Sequence, residues 1–227
     1  MGWAALTPRS RLRNVAAPGS PVARCGYPGV MSYAPAETFS ALIETMKRSA
    51  VALEAAGVPV LLGGGLAAWA RGGPPTDHDV DFFVREHDAE RGLEALAEVG
   101  MRAERPPEGW LYKAWDGETL VDLIFRPSGG AVDDAMFARA TEVEVMAQTL
   151  LVASIDDVLA TKVLALNEQT PDFRAVLEVA RALREQVDWE HVRARVDESP
   201  FGAAFITLVE RLRIASEAEL RAPPVAH

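Results

Sequence analysis

Apolar side chains at Phe39, Leu42, Ile43, Met46, Ala50 and Leu53 recur at three- and four-residue steps, the spacing of one helical stripe. The pattern predicts an amphipathic helix from Pro35 to Gly57, with the glycine as its stop. Val58 to Leu62 is a short apolar run that reads as a strand, and it leads into Gly63, Gly64 and Gly65. Leu66 to Arg71 can form a helical turn or two before the Gly72-Gly73-Pro74-Pro75 turn ends it. From Val80 to Val84 the period becomes two, with Val80, Phe82 and Val84 on the face opposite Asp79 and Asp81.

Asp88 to Val99 returns to helical spacing and is expected to lie against the sheet. Trp110 to Trp115 and Thr119 to Phe125 form the two arms of an expected hairpin, with Asp116-Gly117 signalling its turn. After Pro127 the pattern predicts mostly helix. Ser154 and Asp157 have capping-box spacing ahead of Val158 to Leu166. Val176, Val179, Ala180, Leu183 and Val187 make the stripe of another helix, whose opposite side alternates Arg174, Glu178, Arg181 and Glu185 and reads as solvated. Phe201 to Glu219 completes the set, and no internal repeat is visible.

The 227 residues, 49% of them hydrophobic, suffice for a sizeable core. A net charge of -10 argues against general nucleic-acid coating and leaves any polyanionic substrate dependent on local positive charge, from metal or clustered arginine. A single cysteine, Cys25, excludes an internal disulfide and a cysteine-based zinc site. No apolar run reaches the roughly 18 residues of a membrane span, and residues 1–31 lack the apolar stretch of a secretory leader. That segment is rich in Pro, Gly, Ala and arginine, which predicts a disordered extension, with Met31 a second candidate start. The expected organisation is this extension, a core over 32–150 and a helical region over 151–227, in a cytoplasmic protein with no membrane partner.

The chemistry gathers between Gly63 and Val84. Alternate residues of a strand share a face, so Asp79 and Asp81 stand side by side with repelling charges, and a divalent metal is the expected counter-ion. Asp77, Asp79 and Asp81 imitate half a calcium loop, but Phe82 and Asp88 stand where an EF-hand needs glycine and glutamate. His78-Asp79 has no second histidine at helical ligand spacing, and no Gly-Lys-Ser/Thr follows the triple glycine, which excludes a P-loop. Asp122 is the one acid in "TLVDLIF", and an unpaired buried carboxylate there would cost several kcal/mol. Trp69, Trp110 and Trp115 read as packing.

Gly64-Gly65, Asp79-Val80-Asp81 and Asp122, in this order, resemble the nucleotidyltransferase superfamily related to DNA polymerase β. The later "DVLATKVLALNEQTPDFRAVLEVARAL" is similar to the helical segment of its AbiEii/MenT-type toxin branch, with Lys162 and Asp172 at the lysine and aspartate positions. The resemblance spans residues 36 to 195 and implies an α/β (α+β) fold: a mixed sheet flanked by helices, then a helical C-terminal region. It further implies transfer of a nucleoside monophosphate from an NTP, ATP included, to a hydroxyl. Asp79, Asp81 and Asp122 would be the catalytic residues and the ligands of Mg²⁺ or Mn²⁺. Gly64, Gly65 and Lys162 would contact the nucleotide, with Arg71 and Thr76 as further contacts and Asp172 facing acceptor or nucleotide. The toxin branch implies a tRNA 3′ end as acceptor and a cognate antitoxin as partner. Small-molecule, antibiotic-type acceptors and a non-catalytic nucleotide-binding module stay open beside it.

Overall fold

The computed structural model describes residues 36–76 and 79–220. The expectations for residues 1–31, Cys25 and Met31 among them, and those for Asp77 and His78, lie outside the described residues. Seven strands form one mixed sheet in the order β3-β4-β5-β2-β1-β7-β6, where β1 is Val60–Leu62, β2 Asp79–Val84, β3 Arg102–Glu104, β4 Leu111–Asp116, β5 Thr119–Ile124, β6 Thr141–Val145 and β7 Gln148–Val152. The α/β class expected from sequence is the class observed.

Helix α1 (Ala36–Ala55) and helix α3 (Glu86–Glu98) cover one face of the sheet. Their apolar stripes, including Met46, Leu53, Leu93 and Leu96, are buried with Val80, Phe82, Val121 and Leu123. Asp116 does more than open a turn. It accepts hydrogen bonds from Thr45 Oγ1 at 2.9 Å and from Arg48 at 2.6 and 2.7 Å, and Arg48 also donates to the Val99 carbonyl. The hairpin tip is thereby tied to α1 and to the end of α3. The turn itself is Gly117-Glu118, closed by the Asp116–Thr119 pair, with Gly117 at a φ of 61°.

The opposite face carries α2 (Gly64–Ala70) over β2, and α5 (Ile155–Leu164) beside α2. Helices α6 (Arg174–Ala182), α7 (Trp189–Val196) and α8 (Pro200–Arg211) pack on α5. The expected α6 stripe runs on to Val187, but the helix ends at Ala182 and Val187 is extended. The predicted last helix likewise stops at Arg211, after which Arg213 takes a left-handed backbone. On α6, Arg174 pairs with Glu178 at 3.1 Å in the open, as a solvated face should.

One prediction fails clearly. The stretch after Pro127 is not mainly helical at first: besides α4 (Asp134–Arg139) it forms the β6–β7 hairpin, and β7 pairs parallel with β1. Its two-residue turn, Met146-Ala147, has φ values of 49° and 65° with no glycine or asparagine, so the usual turn signal is absent.

Asp157, predicted only as a capping residue, is a buried ionic hub. Ser154 Oγ accepts from its backbone N–H and donates to its side chain at 2.8 Å, while Arg139 of α4 donates twice, at 3.0 and 2.8 Å, and Arg195 of α7 binds the same carboxylate. Burial alone would raise the pKa of Asp157, yet the hydrogen bonds from Arg139 and Ser154 and the two arginine charges hold it below its usual value. A depressed carboxylate pKa contributes stability that is complete above the unfolded-state value of about 3.9 and is lost as pH falls through the folded-state pKa. Asp157→Asn is expected to cost about 3–5 kcal/mol at pH 7 in urea unfolding, and to blunt the loss of stability below pH about 4 that the parent shows. A variant as stable as its parent would remove the hub's structural role. At the strained turn, Met146→Asn with Ala147→Gly is expected to stabilise by about 1 kcal/mol, read by the same titration.

Candidate active site

Strands β2 and β5 pair in parallel with Asp81 directly opposite Asp122, and Asp79 opposite Leu120. In-register neighbours share a face, so the pairing brings Asp122 to the side of the sheet that carries Asp79 and Asp81. One oxygen from each of Asp79, Asp81 and Asp122 lies within 4.8 Å of the others. Asp79 and Asp81 are half-buried and Asp122 is buried.

The glycine loop reaches this trio through the antiparallel β1–β2 pair. Gly63 N–H donates to the Asp81 carbonyl at 2.8 Å, so the chain passes Asp81 as it leaves β1. Gly64 has a φ of 56°, and a Cβ placed on it would land on the Asp81 carboxylate. A Cβ on Gly65 would come within 2.5 Å of Thr76 Oγ1. These two positions have no room for a side chain because Asp81 and Thr76 occupy it.

Crowding shows in the ionisation. Burial, then the charges of Asp79 and Asp122, pushes the Asp81 carboxyl up to about 7 against the opposing pull of Lys162 and Lys113. Burial likewise raises the pKa of Asp122, although Lys113 Nζ donates to its Oδ1 at 3.0 Å. A set of hard carboxylate oxygens converging at this spacing, too crowded to ionise together at ordinary pKa values, fits a divalent cation such as Mg²⁺ or Mn²⁺.

A cavity of about 500 Å³ adjoins the trio. Its lining joins Gly64 and Asp81 to Phe83 and Ile124 from the sheet, to Trp110 just ahead of β4, and to Thr161 and Lys162 from α5. Asp79 and Asp122 are not part of that lining. The cavity thus opens on one side of the carboxylates, between the C-terminal ends of β2 and β5 and helix α5.

Three expected contacts sit elsewhere. Arg71 donates from Nε to the Ala153 carbonyl and from one terminal nitrogen to the Val152 carbonyl and Thr141 Oγ1, each at 2.9 Å, which fastens the end of α2 to the β6–β7 hairpin. It does not line the cavity. Asp172 is exposed and accepts from the Arg174 backbone N–H at 2.8 Å, organising the start of α6. Thr76 lies against Gly65 instead of in the cavity. Sequence reasoning missed Lys113, although the hairpin turn dictates its place opposite Asp122. It also took Trp110 for packing, whereas this side chain is 42% exposed at the cavity wall.

The sequence matches, over residues 42–213, the family described as nucleotidyl transferase of unknown function (DUF2204). The chain belongs to this family. It is therefore a nucleotidyl transferase, an enzyme, which sets aside the non-catalytic binding module. No curated protein matches it. Among solved structures, the solution structure of the antibiotic-resistance factor ANT(2'')-Ia is 15% identical with a TM-score of 0.54, covering 77% of this chain and 96% of that one. The crystal structure of ANT(2'')-Ia in complex with adenylyl-2''-tobramycin is 16% identical with a TM-score of 0.53, covering 76% and 98%. The lincomycin-bound lincosamide antibiotic adenylyltransferase LnuA is 12% identical with a TM-score of 0.45, covering 67% and 98%. The first two share the fold of this nucleotidyl transferase. Among the described residues no helix is long and apolar enough to cross a membrane.

The raised Asp81 pKa gives a pH test. A folded-state pKa near 7 against an ordinary value of 3.8 means that the stability Asp81 contributes is complete below about pH 4 and declines as pH rises toward 7 in the metal-free protein. Asp81→Asn is expected to flatten that decline in thermal melts with EDTA. Adding Mn²⁺ at about 100 times its Kd should stabilise the parent by about 2.7 kcal/mol and leave the variant unmoved. A variant that keeps the full Mn²⁺ response would put the ion elsewhere.

Proposed function

We propose that this nucleotidyl transferase moves a nucleoside monophosphate from an NTP to the hydroxyl of a small-molecule acceptor, with residues 32–150 as catalytic core and 151–227 supplying one wall of the nucleotide site. The observation that carries the reading is the convergence of Asp79, Asp81 and Asp122 beside a cavity that also holds Gly64 and Lys162. In the transfer, the acceptor oxygen bonds to the α-phosphorus, the bond to the bridging oxygen breaks and pyrophosphate leaves.

Asp79, Asp81 and Asp122 would hold two Mg²⁺ or Mn²⁺ ions, which supply charge neutralisation at the triphosphate and acidify the acceptor hydroxyl. The chain's own part is binding and alignment. Lys162 adds a positive charge near Asp81, and the loop at Gly64 and Gly65 lets phosphate approach backbone N–H groups that side chains would otherwise screen. The exposed Trp110 face, with Phe83 and Ile124, offers an apolar wall for the base. Asp79 and Asp122 stand outside the cavity lining, which leaves their side open for the acceptor. Asp122 would also help remove the acceptor proton.

Charge supports a small acceptor. Of the two cations lining the cavity, Arg126 is held by both carboxylate oxygens of Glu86, at 2.9 and 2.7 Å. RNA binding is driven by phosphate neutralisation, and a chain at -10 offers little of it. ANT(2'')-Ia, whose complex contains adenylyl-2''-tobramycin, has the same fold, which agrees with an acceptor of that size. The second reading is a toxin of AbiEii/MenT type acting on a tRNA 3′ end and restrained by an antitoxin. The position of Lys162 beside Asp81 favours it, since that lysine is part of the branch's pattern.

Incubation with Mg²⁺ and each α-labelled NTP, against total tRNA and against a panel of hydroxyl-bearing small molecules including aminoglycosides, separates the acceptors. Label on tRNA alone would replace the first reading by the second. Asp122→Asn is expected to keep NTP affinity within about tenfold, equivalent to about 1.4 kcal/mol, while transfer falls at least about a hundredfold. Transfer at the parent's rate would remove Asp122 from the chemistry.

A further inference from the structure

Lys113 has no part in the resemblance that points to the carboxylates, yet it sits among them. The β4–β5 register places it directly across from Asp122, and β5 places Asp122 directly across from Asp81, so the three side chains form one row on one face. Its Nζ donates to Asp122 Oδ1 at 3.0 Å, with the lysine side chain 27% exposed and the aspartate 10%. Glu104, its neighbour on β3, is engaged by Trp115 Nε1 at 3.0 Å and by Arg102 at 3.5 Å. The cations acting on Asp81 are thus Lys113 from β4 and Lys162 from α5, and the one acting on Asp122 is Lys113.

We propose that Lys113 is the resident counter-ion of the carboxylate site, holding Asp122 in the metal-free protein and competing with a divalent cation for it. The inference rests on the metal-site reading above. A cation that takes Asp122 through Oδ1 must displace the lysine Nζ, and one that takes only Oδ2 meets a positive charge within a few ångströms. Either way the lysine weakens metal binding to the free enzyme, while it spares the empty site the repulsion of three unpaired carboxylates. A triphosphate brings its own negative charge and offsets the lysine, so metal binds more tightly with nucleotide than without. By linkage, nucleotide then binds more tightly with metal.

The test is Mn²⁺ binding to the nucleotide-free protein by calorimetry, paired with thermal melts in EDTA. Lys113→Met keeps most of the aliphatic stem and removes the charge; it is expected to tighten the Mn²⁺ Kd about tenfold and to lower the EDTA melting temperature. Lys113→Arg restores a cation and is expected to return both values toward the parent's. A Kd for Lys113→Met equal to or weaker than the parent's, with the arginine variant folded and binding as the parent does, overturns the proposal. The metal reading fails differently: the parent then shows no Mn²⁺ binding that Asp81→Asn abolishes.

Discussion

Like charges resist being gathered, and the architecture of this nucleotidyl transferase follows from gathering three of them. Asp79 and Asp81 share a face because strand side chains alternate, and the parallel β2–β5 register adds Asp122 to them. Partial burial raises the cost by lowering the local dielectric, which drives the Asp81 carboxyl toward neutrality. The surrounding chain answers from two sides, with Lys113 hydrogen-bonded to Asp122 and the charge of Lys162 on α5 acting on Asp81. Space is as constrained as charge: the Asp81 carboxylate fills the volume that a side chain at Gly64 would need.

The cavity beside these carboxylates has two walls, and each is held by polar contacts that lie outside it. The sheet wall is braced at the β4–β5 turn, where Asp116 binds Thr45 and Arg48 of α1. The helical wall depends on Asp157, whose buried carboxylate joins α5 to α4 through Arg139 and to α7 through Arg195. Lys162 lies five residues further along the same helix, so its position beside Asp81 is inherited from that ionic hub. Arg71 fixes the end of α2 to β7 and so steadies the glycine loop at the other end of this short helix. The arginines here work as structural clamps and the lysines face the carboxylates.

Legibility followed the strength of local signals. Alternation in "DVDFFV" gave the faces of β2, and the Asp116-Gly117 signal gave the hairpin, although its turn residues lie one position on. With the turn at Gly117-Glu118, Asp116 pairs with Thr119 and Lys113 necessarily meets Asp122. The convergence of Asp122 with Asp79 and Asp81 was legible through the lone acid in "TLVDLIF", strand parity and family resemblance, while the parallel pairing that effects it leaves no local mark. The β6–β7 hairpin escaped because Met146 and Ala147 adopt left-handed backbone without the residues that usually mark it. Arg71 was misjudged for a related reason: an arginine near a glycine loop looks like a phosphate ligand until the carbonyls of Val152 and Ala153 arrive from 81 and 82 residues away in sequence to claim it.

The overall acidity of the chain constrains how it can handle a triphosphate. A protein at -10 repels a polyanion at long range, and the local cations at the cavity are few, with Arg126 already committed to Glu86. On the proposed function the compensating charge would be concentrated at the three carboxylates, where a divalent ion and a triphosphate would each offset what the other lacks. Acidic side chains that repel the nucleotide alone attract it once the metal is shared between them. On this view the excess of negative charge is compatible with an NTP-using enzyme, and it would disfavour the polyphosphate acceptor of the second proposed reading.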